Sequence, residues 1–195
     1  MNEDYGNKAL FVVDMVKDFV DPVNGTLAVP GADALVEPVN QLIETAYEND
    51  VTVFYICDSH EPDDKEFENW PAHAVKGTRG AELADGLLYD AEKAVVVEKT
   101  RYSGFFRTDL EEKLEEYGIS KIYEVGVVTN ICDLMTAADA AQRDYKVSVV
   151  KDCVAALPDE TGQYDDNDYF FNRQAPLLGI GAVELAEALD AMKKG

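Results

Sequence analysis

Short, continuous apolar runs alternate along this chain with segments of helical spacing, and no other feature restricts the fold as much. "KALFVVD" (8–14), "VTVFYICD" (51–58), "AVVVEK" (94–99), "KIYEVGVV" (121–128) and "KVSVVKD" (146–152) read as strands. They are apolar throughout, not at every second residue. Strands of that kind are buried on both faces. Between the first two, Leu35, Val36, Val39, Leu42, Ile43 and Ala46 recur at helical spacing, with Pro38 near the first turn. "TDLEEKLEEYGIS" reads as a helix capped by Thr108 or Asp109 and ended by Gly118. "ICDLMTAADAAQRDY" reads as another, as does the segment from Asp166 to Leu178. The tail from Gly181 gives a short sixth strand and a final helix. Strands alternating with helices predict an α/β, single-domain, open parallel β-sheet covered on both sides. About six strands in the order 3-2-1-4-5-6 fit the pattern.

Composition excludes several partner classes. The 195 residues suit one domain spanning 1–195, with a long polar loop at 58–80. With 17 basic and 39 acidic residues the net charge is −22, which repels nucleic acid and anionic membranes. No apolar run reaches the ~20 residues of a membrane helix. "MNEDYGNKAL" lacks the apolar core of a secretory signal. Cys57, Cys132 and Cys153 are odd in number and widely spaced, which fits a reducing compartment better than a disulfide framework. A cytoplasmic protein is expected. "GIGAVE" near the end has no room for a following βαβ unit, so it does not read as a nucleotide site.

In such a sheet, ligands bind beyond the carboxyl ends of the strands, where strand order reverses. The residues found there are Asp14, Asp58 with His60, Lys99 and Cys132. The order 3-2-1-4 places Asp14 opposite Cys132, with Lys99 and Asp58 alongside. Taken singly, each has an ordinary structural reading: a turn acid, a surface lysine, a small core thiol. Together they form a set suited to covalent catalysis. Thr129 or Asn130 as N-cap would put Cys132 in a first helical turn, where the thiolate is favoured. Asp14 against an apolar wall can take the thiol proton, and Lys99 can hold the carboxylate. Cys57 and Cys153 keep their structural reading. A second cluster lies in "DSHEPDDKEFENWPAH". Asp58 and His60, two apart, point the same way. His73 from the folded-back loop adds a third donor. Two imidazoles and a carboxylate suit Zn²⁺, and also Fe²⁺ or Mn²⁺.

These motifs carry a resemblance over nearly the whole chain. "VVDMVKDF", "DSH", "WPAHAVKGTRGAEL", "EKTRYSGFFRTDL" and "VGVVTNICD" resemble the cysteine amidohydrolases of the isochorismatase-like superfamily, nicotinamidases most closely. The W-P-x-H-x-x-x-G-T-x-G-A-E-L run is the most specific part. The resemblance implies that Asp14, Lys99 and Cys132 are a catalytic triad. It makes Asp58, His60 and His73 ligands of a divalent metal, with Glu66 or water completing the shell. Phe19 and Trp70 would sandwich a pyridine ring, and Tyr102 would line the pocket. The Val127–Val128 peptide would be cis, and the Val128 and Cys132 N–H groups would form an oxyanion hole. The activity implied is conversion of nicotinamide to nicotinate and ammonia through a Cys132 thioester, with pyrazinamide as a second substrate. Partners would be a small-molecule amide and a second copy of the chain in a homo-oligomer. Two positions depart from the pattern: Val16 stands where Gln is frequent, and Ala74 where Cys often follows the metal-binding His. Neither removes a catalytic group. Rival expectations are a same-fold amidase acting on another small amide or carbamoyl compound, and a non-catalytic metal-binding module.

Overall fold

The computed structural model describes residues 7–158 and 166–193; of the N-terminal stretch read above, residues 1–6 lie outside it. Its strands are β1 (Asn7–Val13), β2 (Thr52–Asp58), β3 (Val95–Lys99), β4 (Ile119–Val127), β5 (Lys146–Ala155) and β6 (Gly181–Val183). Its helices are α1 (Lys17–Val20), α2 (Val36–Glu48), α3 (Leu110–Glu116), α4 (Leu134–Ala141), α5 (Asp166–Tyr169), α6 (Ala175–Leu177) and α7 (Leu185–Lys193). The strands pair in parallel in the order β3-β2-β1-β4-β5-β6, as the sequence predicts. Among the described residues, no helix is long and apolar enough to cross a membrane.

The continuous apolar runs are explained by two separate cores. In β1, Leu10 and Val12 join Val39, Leu42 and Ile43 of α2 and Met192 of α7 on one face. Ala9, Phe11 and Val13 join Leu110 and Leu114 of α3 and Ala137 and Ala140 of α4 on the other. Each fully buried Leu or Phe contributes about 2–3 kcal/mol of transfer free energy, so neither face can be polar. β3 departs from the expectation of strands covered on both faces. It is an edge strand and alternates buried with exposed residues, leaving Val96 and Glu98 open.

Two local features bring the strand ends together. Gly126 of β4 pairs with Val13, and a Cβ there would run into the Val13 carbonyl oxygen. Its φ of 128° also disfavours any side chain. Gly126→Ala is therefore expected to lose at least about 2 kcal/mol of stability. A lower urea midpoint at unchanged m-value would show it; an unshifted midpoint would refute it. On the next residue of β1's path, Asp14 has a φ of 51°, which turns the chain out of the sheet. Asp is among the few residue types that visit this region.

Candidate active site and metal centre

Asp14, Lys99 and Cys132 meet in the interior, exposed by 0%, 1% and 5%. Lys99 ends β3, and its Nζ lies 2.7 Å from Asp14 Oδ2, 2.5 Å from Asp58 Oδ1 and 3.7 Å from Cys132 Sγ. One ammonium with three donors thus meets three acceptors, which is what a buried cation requires. The Asp58 N–H donates to Asp14 Oδ1 at 2.7 Å and fixes the carboxylate plane.

Burial sets the protonation of the group. It pushes Asp14 up to about 6, with repulsion from Asp58 added and Lys99 opposing. It would also lower Lys99, but Asp14 and Asp58 outweigh it and hold the ammonium charged. Burial pushes the Cys132 thiol well up, with Lys99 pulling the other way. The sequence expectation of a helix-stabilised resting thiolate is therefore corrected. So is its cap. The chain at Thr129–Asp133 forms a wide turn with Val128 at its start and no side-chain cap. Thr129 Oγ1 has no partner, and Asn130 Nδ2 donates to the Leu157 carbonyl instead. Cys57 and Cys153 are buried and free. Burial raises both thiols, Cys153 to about 12, in keeping with a structural role.

Asp58, His60, Glu66 and His73 are all buried, and one donor atom from each lies within 4.8 Å of every other. His60 Nε2 is 3.5 Å and His73 Nε2 3.7 Å from Asp58 Oδ2; Glu66 Oε1 is 3.9 Å from His73 Nε2. These gaps are long for hydrogen bonds. They are close to the separation of about 3.4 Å between two ligands of a tetrahedral zinc with bonds of about 2.1 Å. His60 Nε2 has no hydrogen-bond partner despite its burial. The other ring nitrogens are engaged: His60 Nδ1 with Asp64 Oδ2 at 3.1 Å, and His73 Nδ1 donating to the Pro71 carbonyl at 2.7 Å. Both rings thus aim Nε2 at a common point, the arrangement outer hydrogen bonds impose on metal-binding histidines. The donor set fits a divalent metal, and Glu66 stands where a fourth ligand would.

Several supporting residues escape a reading of the sequence. Asp64 also accepts from Arg101 Nη1 at 2.8 Å, which secures the partner of His60. Asp18 accepts from the Ala74 N–H at 2.8 Å and the Thr26 N–H at 3.1 Å, pinning the chain beside His73. Gly80 lies so close to Asp18 that any Cβ would collide with its carboxylate. The visible signal was the "VKDF" and "DDKEF" runs, but a lone acid in a loop reads as solvated.

A pocket opens onto both clusters. Asp58, Glu66 and His73 line it, as do Val128 and Cys132. Phe19, Trp70 and Tyr102 line it as expected, joined by Leu27, Val29, Ile131 and Leu157, which were not foreseen. Trp70 Nε1 donates to the Tyr102 hydroxyl at 3.2 Å, which fixes both rings. The Val127–Val128 peptide is cis, as expected. No cationic side chain lines the pocket among the described residues.

Residues 8–180 match the Isochorismatase domain family. A protein of Arabidopsis thaliana named as a probable inactive nicotinamidase is 34% identical over 82% of this chain and 86% of its own. The crystal structure of N-carbamoylsarcosine amidase from Thermoplasma acidophilum is 38% identical, with a TM-score of 0.78 over 92% of this chain and 96% of that one. That of the pyrazinamidase of Pyrococcus horikoshii in complex with zinc is 30% identical, with a TM-score of 0.81 over 91% and 99%. With its parallel sheet, its strand-end cluster and this match, the chain belongs to the isochorismatase-domain family of hydrolases.

Proposed function

We propose that the protein hydrolyses the carboxamide of a small, neutral, aromatic amide, nicotinamide first and pyrazinamide as its analogue. The observation that carries this reading is the pocket itself. It is supported by a thiol beside a buried acid and lysine, by neighbouring donors that could hold a metal, and by an aromatic lining in which no lysine or arginine stands among the described residues.

Asp14 takes the proton from Cys132, and Sγ attacks the carboxamide carbon. Lys99 holds the Asp14 carboxylate in place throughout. The N–H groups of Val128 and Cys132 receive the oxyanion, an interaction worth about 3 kcal/mol of barrier per donor in comparable sites. Asp14 then returns the proton to the departing ammonia, leaving a Cys132 thioester. A water deprotonated by Asp14 releases the acid and restores the thiol. Phe19 and Trp70 hold the ring flat between them. A divalent metal held by Asp58, His60, His73 and Glu66, Zn²⁺ by its donor set, would supply a Lewis-acid anchor for a ring nitrogen.

The pH dependence follows from Asp14. With its carboxyl raised to about 6, it is ionised and able to accept the thiol proton above that pH. Below it, the protonated acid cannot act as base. We expect kcat/KM to fall about tenfold per unit below about pH 6, as a single essential base requires. A rate that stays flat to pH 4.5 would remove Asp14 from this role.

The similarity to N-carbamoylsarcosine amidase favours a second reading, a carbamoyl amide substrate. That substrate carries a carboxylate, and no lysine or arginine lines the pocket among the described residues. Ammonia release from nicotinamide, pyrazinamide and N-carbamoylsarcosine, each with and without chelator, separates the two. Chelator-sensitive turnover of the pyridine amide supports the first; chelator-insensitive turnover of the carbamoyl compound alone overturns it. A non-catalytic metal-binding module would show neither, and an unreactive Cys132.

A further inference from the structure

Asp18 is a buried acid that the reaction above does not use, yet its bonds reach two segments that carry pocket residues. Its Oδ2 accepts from the Ala74 N–H at 2.8 Å, and its Oδ1 from the Thr26 N–H at 3.1 Å. Ala74 follows His73 in the chain, and its carbonyl accepts from the His60 N–H at 3.0 Å. One carboxylate oxygen therefore holds the residue that joins the two histidines of the metal-binding group.

The other oxygen holds the segment that follows α1. Thr26 precedes Leu27, whose N–H donates to the Asp18 carbonyl at 3.0 Å, and the Val29 N–H donates to the Phe19 carbonyl at 2.8 Å. Phe19, Leu27 and Val29 all line the pocket. The Phe19 ring also packs on that of His73, with centroids 5.4 Å apart. Ala74 has a φ of 43°, a region that a residue with a Cβ occupies only where its surroundings hold it. Its N–H bond to Asp18 and its carbonyl bond to His60 are such holds. Gly80 completes the arrangement, because a Cβ there would collide with the Asp18 carboxylate.

We propose that Asp18 is a positioning residue that ties the residues holding the substrate ring to the histidines of the metal-binding group, so that metal affinity and ring binding both depend on this one carboxylate. A carboxylate accepts from both N–H groups at once. An amide in its place has one acceptor and sets its NH₂ against the second N–H. Release of Ala74 disturbs His73 directly and His60 through the Ala74 carbonyl. Release of Thr26 loosens Leu27 and the backbone beside Phe19. Asp18 acts through these residues and not on the reacting atoms. The inference deepens the proposed function and rests on it for the metal and the ring.

The probe is Zn²⁺, titrated in competition with a chromophoric chelator, with nicotinamide kinetics at saturating zinc as the second readout. Asp18→Asn is close to isosteric and is expected to weaken zinc binding about ten- to a hundredfold, the usual cost of removing an outer support of a metal ligand. At saturating zinc its KM is expected to rise at least about fivefold with kcat within about twofold, the sign of lost binding that ground state and transition state share. Gly80→Ala changes no polar group but drives the Asp18 carboxylate from its place. It is expected to lose zinc affinity to a similar degree, and it carries the test if Asp18→Asn does not fold. Asp21→Asn provides the contrast of a merely structural acid. Asp21 accepts from the Val23 and Asn24 N–H groups of the same segment. Its loss is expected to leave zinc affinity within about twofold, since it supports no metal donor. Zinc affinity within about fivefold of the wild type in the folded Asp18→Asn and Gly80→Ala proteins overturns the proposal. So does an equal loss in Asp21→Asn, or a fall in kcat at unchanged KM. The zinc titration uses no amide. A wild type that binds zinc but leaves nicotinamide intact refutes the substrate, and the zinc affinities alone then decide the role of Asp18. A wild type that takes up no zinc overturns both.

Discussion

Cys132→Ala is expected to abolish ammonia release, with kcat/KM down by at least about 10⁴-fold, because removing a covalent nucleophile leaves only the binding and oxyanion contributions. The side chain is small and sits in a wide turn, so the fold should survive. On the proposed function metal uptake should survive too, because the four-residue group that could hold the ion, Asp58, His60, Glu66 and His73, does not include Cys132. Circular dichroism and metal content check both points on the same sample. A variant that keeps turnover within tenfold of the wild type would remove Cys132 from the chemistry.

Lys99→Met is expected to cost both activity and stability. Lys99 faces two buried carboxylates, Asp14 and Asp58, and its side chain is fully inaccessible. Methionine fills much of the same volume but leaves those acids without their cation. Breaking a buried pair in this way costs about 3–5 kcal/mol. The exposed pair Lys76–Glu98, at 2.8 Å, provides the contrast. Its loss should cost less than about 1 kcal/mol, since solvent screens it. Urea denaturation of Lys99→Met and Lys76→Met side by side reads the difference. Equal midpoints would mean that Asp14 and Asp58 do not depend on Lys99.

How much of this was legible in the sequence depended on range. The sheet order follows from local patterns: five apolar runs, helices between them, and strand polarity imposed by crossover connections. The strand-end residues followed from the same logic, because the fold rule itself says where Asp14, Asp58, Lys99 and Cys132 must lie. The supports did not follow. Asp18 holds Ala74 across 56 residues, and Asn130 reaches Leu157 across 27. Such contacts are set by loop paths that no periodicity encodes. The cap at Thr129–Asn130 was misread for a related reason. Good capping residues were present, but the turn leading to Cys132 widened and gave Asn130 another partner.

Asp58 belongs to both halves of the site. Its Oδ2 faces His60 and His73, its Oδ1 meets Lys99, and its N–H holds Asp14. Two sites that share a carboxylate cannot be thermodynamically independent. A cation bound at the histidines would draw charge from Asp58 and loosen its grip on Lys99, which would then give more to Asp14 and Cys132. By reciprocity, ionising the thiol changes the affinity for metal by the same factor. On the proposed function, metal affinity would thus report the charge of Cys132, and a metal titration followed at two pH values would read the coupling directly.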